Sequence, residues 1–250
     1  MFTFPALIGH RGVAGHAPEN TLQAIRTAGE MGLKMVEVDV KLTQDQRPIV
    51  FHDDKLDRTT DGAGRVKDTP LEEINHLDAG ITFSREFIGE PVPTLEEVLD
   101  LAIEMEMQLN LELKPCPGTD RETAAIALDI AQAMWPDDLP PPLISSFSEI
   151  SMKVAMEVAP DWPRALLVEK IKSDWRDKAE ALNAICVIAD EKKLDAKIVK
   201  EVKQAGVPLI AWTVNDQKRA LTLLDWGVDG LITDSPPTLA GPAWKTVHGD

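Results

Sequence analysis

Short apolar runs rich in Val, Ile and Leu begin near Ala6, Met35, Leu109, Leu143, Ala165, Ile185, Leu209 and Gly230. Between most of them, apolar residues recur at the spacing of one helix face. Leu95, Val98, Leu99 and Ala102 form one such stripe, and Ile198, Val199, Val202 and Ala205 form another. The punctuation agrees with this reading. Asn20 with Gln23, and Thr94 with Glu97, read as N-caps followed by an acceptor at the third helical position. Gly206 and Gly227 stand where a helix would end in the left-handed conformation. Eight strands alternating with helices predict a parallel α/β fold, and eight units predict closure into a (βα)8 TIM barrel. An open doubly wound sheet is the second reading, although the first strand–helix junction lacks the GxGxxG fingerprint.

From the third run onward the intervals, roughly 20–35 residues, suit one β–α unit each. The interval from Met35 to Leu109 is about 40 residues too long for that unit. The surplus, residues 43–93, holds Asp61-Gly62-Ala63-Gly64, Pro91, Pro93 and a short strand over Pro48–Phe51. It predicts an inserted, loop-rich subdomain after the second strand, and excursions of this length are usually functional or disordered. Residues 1–250 otherwise read as a single barrel domain, with Pro140-Pro141-Pro142 feeding the fourth strand.

Two strands carry a second pattern. Along Met35-Val36-Glu37-Val38-Asp39-Val40 the valines share one face, and Glu37 and Asp39 share the other. Along Leu109 to Lys114 the leucines share one face, and Asn110, Glu112 and Lys114 the other. Strands of a parallel sheet are normally apolar on both faces, so three carboxylates there carry a desolvation cost that something must offset. A bound cation does so economically, and all-oxygen ligation suits a hard ion such as Mg²⁺ or Ca²⁺. The competing reading is a buried Glu112–Lys114 pair with Asp39 solvated at a strand end. His10 ends the first strand and precedes Arg11; His52 ends the short inserted strand. Imidazole titrates near neutrality, so two histidines beside a metal site and two cations suit acid–base work. Pro18-Glu19-Asn20-Thr21 reads either as a helix start or as a segment facing the same site.

Charge narrows the partners. With 26 Lys+Arg against 42 Asp+Glu the formal charge is −16. Such a surface disfavours nucleic acid and anionic membranes as partners. Cys116 and Cys186 form neither a disulfide framework nor a CxxC zinc motif. The first residues lack a basic n-region and a long apolar core, and no run approaches the length of a membrane span, so a cytoplasmic location is expected. Homo-oligomerisation is left open.

Taken together, these pieces resemble one family. His10-Arg11-Gly12, Pro18-Glu19-Asn20-Thr21, Glu37-Val38-Asp39, His52-Asp53 and Glu112-Leu113-Lys114 occur in the order found in glycerophosphodiester phosphodiesterases of the bacterial cytoplasmic type. Leu56-Asp57-Arg58-Thr59-Thr60-Asp61-Gly62, Trp212-Thr213-Val214-Asn215 and Gly227 through Asp234 extend the likeness across about Leu7 to Pro236. The resemblance implies a barrel with the insertion after strand two. It also implies metal-dependent hydrolysis of a small glycerophosphodiester, such as glycerophosphocholine, to an alcohol and sn-glycerol 3-phosphate. Carried over, Glu37, Asp39 and Glu112 hold the divalent metal, Mg²⁺ or Ca²⁺. His10 and His52 are the acid–base pair, and Arg11 and Lys114 hold phosphate oxygens.

Phe147 and Trp212, at the ends of the fourth and seventh strands, are expected to wall the substrate pocket. Glu169 and Asp190 read as solvated loop acids within reach of a cationic alcohol. His16, His76 and His248 receive no role. Two alternatives stand beside this reading: a phospholipase D-like barrel enzyme or lyase that leaves a cyclic phosphate, and a non-catalytic binding barrel.

Overall fold

The computed structural model describes residues 2–239, and His248 lies outside them. The chain runs β1 (Leu7–His10), α1 (Leu22–Glu30), β2 (Met35–Leu42), β3 (Pro48–Val50), α2 (Leu71–Ile74), α3 (Leu95–Glu104), β4 (Gln108–Leu113), α4 (Asp120–Met134) and β5 (Leu143–Ser145). It continues through α5 (Glu149–Val158), β6 (Arg164–Val168), α6 (Trp175–Ala181), β7 (Ala184–Asp190), α7 (Ala196–Gln204), β8 (Leu209–Trp212), α8 (Gln217–Trp226), β9 (Gly230–Thr233) and α9 (Pro236–Leu239). Each of the eight parallel strands begins within one residue of its expected onset.

Neighbouring strands follow the order β1-β9-β8-β7-β6-β5-β4-β2, and a β1–β2 pairing joins the two ends. That pairing, Gly9 with Val36 and His10 with Glu37, closes the barrel and excludes the open sheet. On β2 the alternation separates two layers. Val36, Val38 and Val40 pack outward with Ile25, Val98, Leu99 and Leu128 of the helices. Inside, the lumen is apolar at the strands' N-terminal end, where Ile8, Met35, Leu143, Ala165, Cys186, Ile210 and Ile232 cluster. Further along, β1, β2 and β5 present His10, Glu37, Asp39 and Ser145, and β4 beside them presents Asn110 and Glu112. The functional end of a TIM barrel is this C-terminal face.

The caps explain where the helices begin. Thr94 caps α3, with reciprocal bonds to Glu97 that complete a capping box. The expectation for α1 needs correcting. Thr21, not Asn20, is its N-cap and accepts from the Ala24 amide. Asn20 is instead left-handed at φ 58°. Its side chain turns to Asp39, donating from Nδ2 to Oδ2 at 2.8 Å while its Oδ1 accepts from the Asp39 amide at 3.1 Å. Asn tolerates that conformation better than most residues, and Thr21 is free to cap because its own backbone is extended.

The excursion after β2 is ordered around its own small core. β3 pairs antiparallel with β2, matching Val40 to Val50 and Leu42 to Pro48. Ile49, Phe51, Leu56, Val66, Ile74 and Val92 then pack together with Cys116 from beyond β4. The fully buried Lys41 side chain reaches Asp54 at 3.0 Å, a further tie from barrel to excursion. Cys116 and Cys186 are both free and buried.

Candidate active site

Glu37, Asp39 and Glu112 each present a carboxylate oxygen, and the three oxygens lie within 4.8 Å of one another. All three are buried, because β2 and β4 pair in register, Glu37 opposite Asn110 and Asp39 opposite Glu112. Their surroundings differ. Asp39 lies 3.1 Å from Lys114 Nζ and 3.3 Å from Arg11 Nε. Burial alone would raise its pKa, but Lys114, then Arg11, hold it well below the usual carboxylate range. Glu112 accepts from Lys114 Nζ at 2.7 Å, yet burial, and then the charge of Asp39, push it up to about 7. Glu37 is raised well above its ordinary value by burial, then by Asp39 and Glu112. Its Oε1 is buried without a hydrogen-bond partner.

That orphaned oxygen and two carboxyl groups driven towards the neutral form mark a place short of positive charge. A divalent cation fits it, and oxygen-only donors favour a hard one. The Glu112–Lys114 ion pair of the competing reading is present, but Asp39 is buried against Lys114 and Arg11 rather than solvated at a strand end, so that reading fails for Asp39. A consequence follows for the metal-free protein. Because Glu112 binds its proton more tightly when folded, its contribution to stability is present below the ordinary value of 4.5 and lost as pH rises towards about 7. Adding Mg²⁺ or Ca²⁺ should displace that proton. Melting curves taken at about pH 5 and about pH 8 should therefore show the larger cation-induced rise at the higher pH, and equal rises would contradict this site.

The two histidines are held alike. His10 Nδ1 lies 2.6 Å from Asp234 Oδ1, and His52 Nδ1 lies 2.6 Å from Asp53 Oδ1. A carboxylate on Nδ1 favours the tautomer whose Nε2 lone pair is free, and both rings line the same pocket of about 230 Å³. Each carboxylate is braced in turn. Asp234 Oδ2 accepts from Asn215 Nδ2 at 2.6 Å, and Asn215 Oδ1 accepts from the Asp234 amide and the Thr233 hydroxyl. Asp53 receives two bonds from Arg58, whose other edge donates twice to Glu19. Glu19 also accepts from Arg11 Nη1 at 2.7 Å. Burial, above all, with Arg11 and Lys114 adding to it, lowers the His52 pKa against the opposing pull of Asp39 and Asp53.

Arg11 and Gly12 form the turn that ends β1, at φ 52° and 81°. A Cβ on Gly12 would fall 2.6 Å from that of Ala24, so the chain can turn this close to α1 only with glycine there. The turn sets the Arg11 amide 3.1 Å from Glu37 Oε2 and its guanidinium in the pocket with Lys114. Phe147 and Trp212 meet edge to face, with centroids 5.6 Å apart, on the same wall. Glu169 is exposed at the pocket edge, while Asp190 turns away to cap the Lys192 amide. All nine residues expected at the site thus converge, though Asp39 sits behind the pocket wall. The sequence reading missed Asp234, Asp53, Arg58 and Asn215.

Comparison with known proteins separates this fold from other barrels. The family model described as "Glycerophosphoryl diester phosphodiesterase family" matches residues 10–238. The chain belongs to that family. A glycerophosphodiester phosphodiesterase of Caldanaerobacter subterraneus subsp. tengcongensis is 36% identical over 238 residues, covering 93% of this chain and 95% of the relative. One from Bacillus subtilis is 35% identical over 245 residues, covering 92% and 83%. Among solved structures, an Oleispira antarctica phosphodiesterase in complex with the product sn-glycerol-3-phosphate superposes with a TM-score of 0.91 at 40% identity, covering 94% of this chain and 95% of that one. Family membership makes the chain a phosphodiesterase, a hydrolase on a TIM barrel. Among the described residues no helix is long and apolar enough to cross a membrane.

Proposed function

We propose that the protein hydrolyses small glycerophosphodiesters to sn-glycerol 3-phosphate and an alcohol, using a divalent cation and the pair His10 and His52. The observation that carries this reading is two carboxylate-braced imidazoles in one pocket with three clustered carboxylates and two cations. A phosphodiester is already anionic, so attack at phosphorus needs its oxygens neutralised. Arg11 presents a fork for two oxygens, and Lys114 a point charge. Glu37, Asp39 and Glu112 would hold the cation, which supplies Lewis acidity at a phosphoryl oxygen.

His52 starts neutral, because burial and the two nearby cations favour that form, and so serves as the proton acceptor. It takes the proton of the attacking hydroxyl, whether water's or the neighbouring hydroxyl of the substrate's glycerol. His10, entering this step as the imidazolium that Asp234 on Nδ1 favours, gives its Nε2 proton to the departing alcohol oxygen. Phe147 and Trp212 flank the organic part of the substrate. Two free buried thiols fit a reducing compartment, and a cytoplasmic location belongs to the same reading.

A panel of glycerophosphodiesters with different alcohols, assayed with Mg²⁺ and with Ca²⁺, tests the proposal. Release of sn-glycerol 3-phosphate that a chelator stops and either cation restores is the expected result. No release with either cation sinks it. A cyclic phosphate that persists in the phosphorus NMR spectrum would replace it with the lyase reading.

A further inference from the structure

One side chain outside the pocket ties its two halves together. The excursion after β2 brings His52 to the pocket, and the turn that ends β1 brings Arg11. Arg58 stands between the groups that hold them and does not itself line the pocket. Its Nε and Nη2 donate to Asp53 Oδ2 and Oδ1 at 2.6 and 3.0 Å, and Asp53 holds the His52 ring. Its Nη1 and Nη2 donate to Glu19 Oε2 and Oε1 at 2.8 and 2.7 Å, and Glu19 holds Arg11. Two edges of one guanidinium plane are therefore each matched to a carboxylate. The backbone beneath is fixed as well. Leu56 and Thr60 are buried on either side of Arg58, and the Thr60 hydroxyl donates to the Leu56 carbonyl at 2.8 Å.

We propose that Arg58 is a positioning residue for the hydrolytic reaction: it sets the spacing between His52, through Asp53, and Arg11, through Glu19, so that the proton acceptor and the phosphate clamp meet one substrate in register. The proposal rests on the hydrolytic reading above and adds a residue to it. Geometry is the first support. A planar fork on a carboxylate fixes angle as well as distance, and only arginine presents two such edges at once. Exposure is the second. The Arg58 side chain is 48% exposed, and exposed ion pairs add little to stability, so these four bonds hold positions rather than the fold. The excursion is anchored without them, by β3 on β2, by its own apolar core and by Lys41 on Asp54.

Charge is the third support. Hydrogen bonds from Arg58, above all, bring the Asp53 carboxyl down to about 2. Burial works to raise Glu19, but Arg58 and then Arg11 hold it below its ordinary value. Both acids stay ionised, and the two arginines balance them. Without Arg58 one negative charge is left over beside the place where an anionic phosphodiester must bind.

The test compares the full-length parent with Arg58→Ala, Arg58→Lys and, as a control, Arg47→Ala. Arg47 is similarly exposed, at 51%, and neither it nor its partner Glu96 lines the pocket. Melting curves check that all four proteins fold. With glycerophosphocholine and Mg²⁺, Arg58→Ala should lose roughly 10–100-fold in kcat/KM, as when the partner orienting a functional imidazole is removed. Lysine is a point charge that serves one carboxylate at a time, so Arg58→Lys should stay close to Arg58→Ala. Guanidinium ion, at millimolar concentration, should restore Arg58→Ala towards the parent rate, which Arg47→Ala keeps throughout. Two readouts need no turnover. Inorganic phosphate, followed by calorimetry with Mg²⁺, should bind Arg58→Ala up to about fivefold more weakly, the worth of one exposed pair. Ring-nitrogen NMR should show His52 leaving the Nδ1–H tautomer that Asp53 favours, with guanidinium bringing it back. A parent rate in Arg58→Ala, a loss that Arg58→Lys fully repairs, or a loss that guanidinium does not relieve would overturn the role of Arg58 while hydrolysis by the parent stands. If the parent hydrolyses no ester, the hydrolytic reading fails on its own account and the other two readouts decide on Arg58. Movement of both upholds it, and either one unchanged overturns it.

Discussion

His52→Ala should lower kcat by about 10²–10⁴-fold while the fold and the divalent-cation response of the melting curve persist. The range is that of a positioned acid–base group. The fold is expected to survive because the ring is half-buried, and among the described residues its recorded side-chain partner is the adjacent Asp53. The pH profile carries the more specific signature. A base must be unprotonated, so activity should fall on the acid side as pH drops through the His52 pKa. Burial, with Arg11 and Lys114, moves that limb below the ordinary 6.5. In His52→Ala the limb should vanish from the residual rate. A variant that keeps the wild-type rate or the wild-type limb would remove His52 from proton transfer.

Glu37→Gln should give the second large effect, with opposite signs on rate and stability. Loss of one proposed cation ligand would weaken transition-state charge stabilisation worth several kcal/mol, so activity should fall by roughly 10²–10³-fold. Without metal, the buried Glu37 carboxyl already favours its neutral form, because burial and the two neighbouring acids oppose its charge. Glutamine mimics that neutral form in shape. At about pH 8 the metal-free variant should therefore be more stable than the parent, by on the order of 1 kcal/mol, or roughly 2–4 °C in Tm. The cation-induced rise in Tm should shrink in the same variant. Equal activity, or a full cation response, would take Glu37 out of the metal site.

Much of this site is legible in the chain because strand parity is simple. A period of two puts Glu37 with Asp39 and Asn110 with Glu112, whatever the rest of the barrel does. The same parity finds Trp212 after Ile210 inside β8 and, carried just past the ends of β5 and β9, Phe147 after Ser145 and Asp234 after Ile232. Asp234 was overlooked because it lies beyond β9, and its partner His10 is 224 positions away. Only barrel closure brings the two together. Asn20 misled for a different reason. Asn and Thr are both good caps, and which of two neighbours caps depends on where the other's side chain is wanted. Here Asp39 claims Asn20. Arg58 lies in an excursion with little periodicity, so its double clamp on Asp53 and Glu19 has no local signal.

The His10–Asp234 bond also sets a clock. A ribosome adding about 5–20 residues per second needs roughly 10–45 s to pass from one partner to the other. During that interval β1, β2 and β4 can already be outside, with Glu37, Asp39 and Glu112 all synthesised. The nascent chain then carries its three proposed cation ligands and His52, but the carboxylate bonded to His10 has not yet been made. With His10 in its proposed role, full turnover should wait until Asp234 arrives beyond β9, and the onset of activity in a translation reaction would report the completion of the barrel.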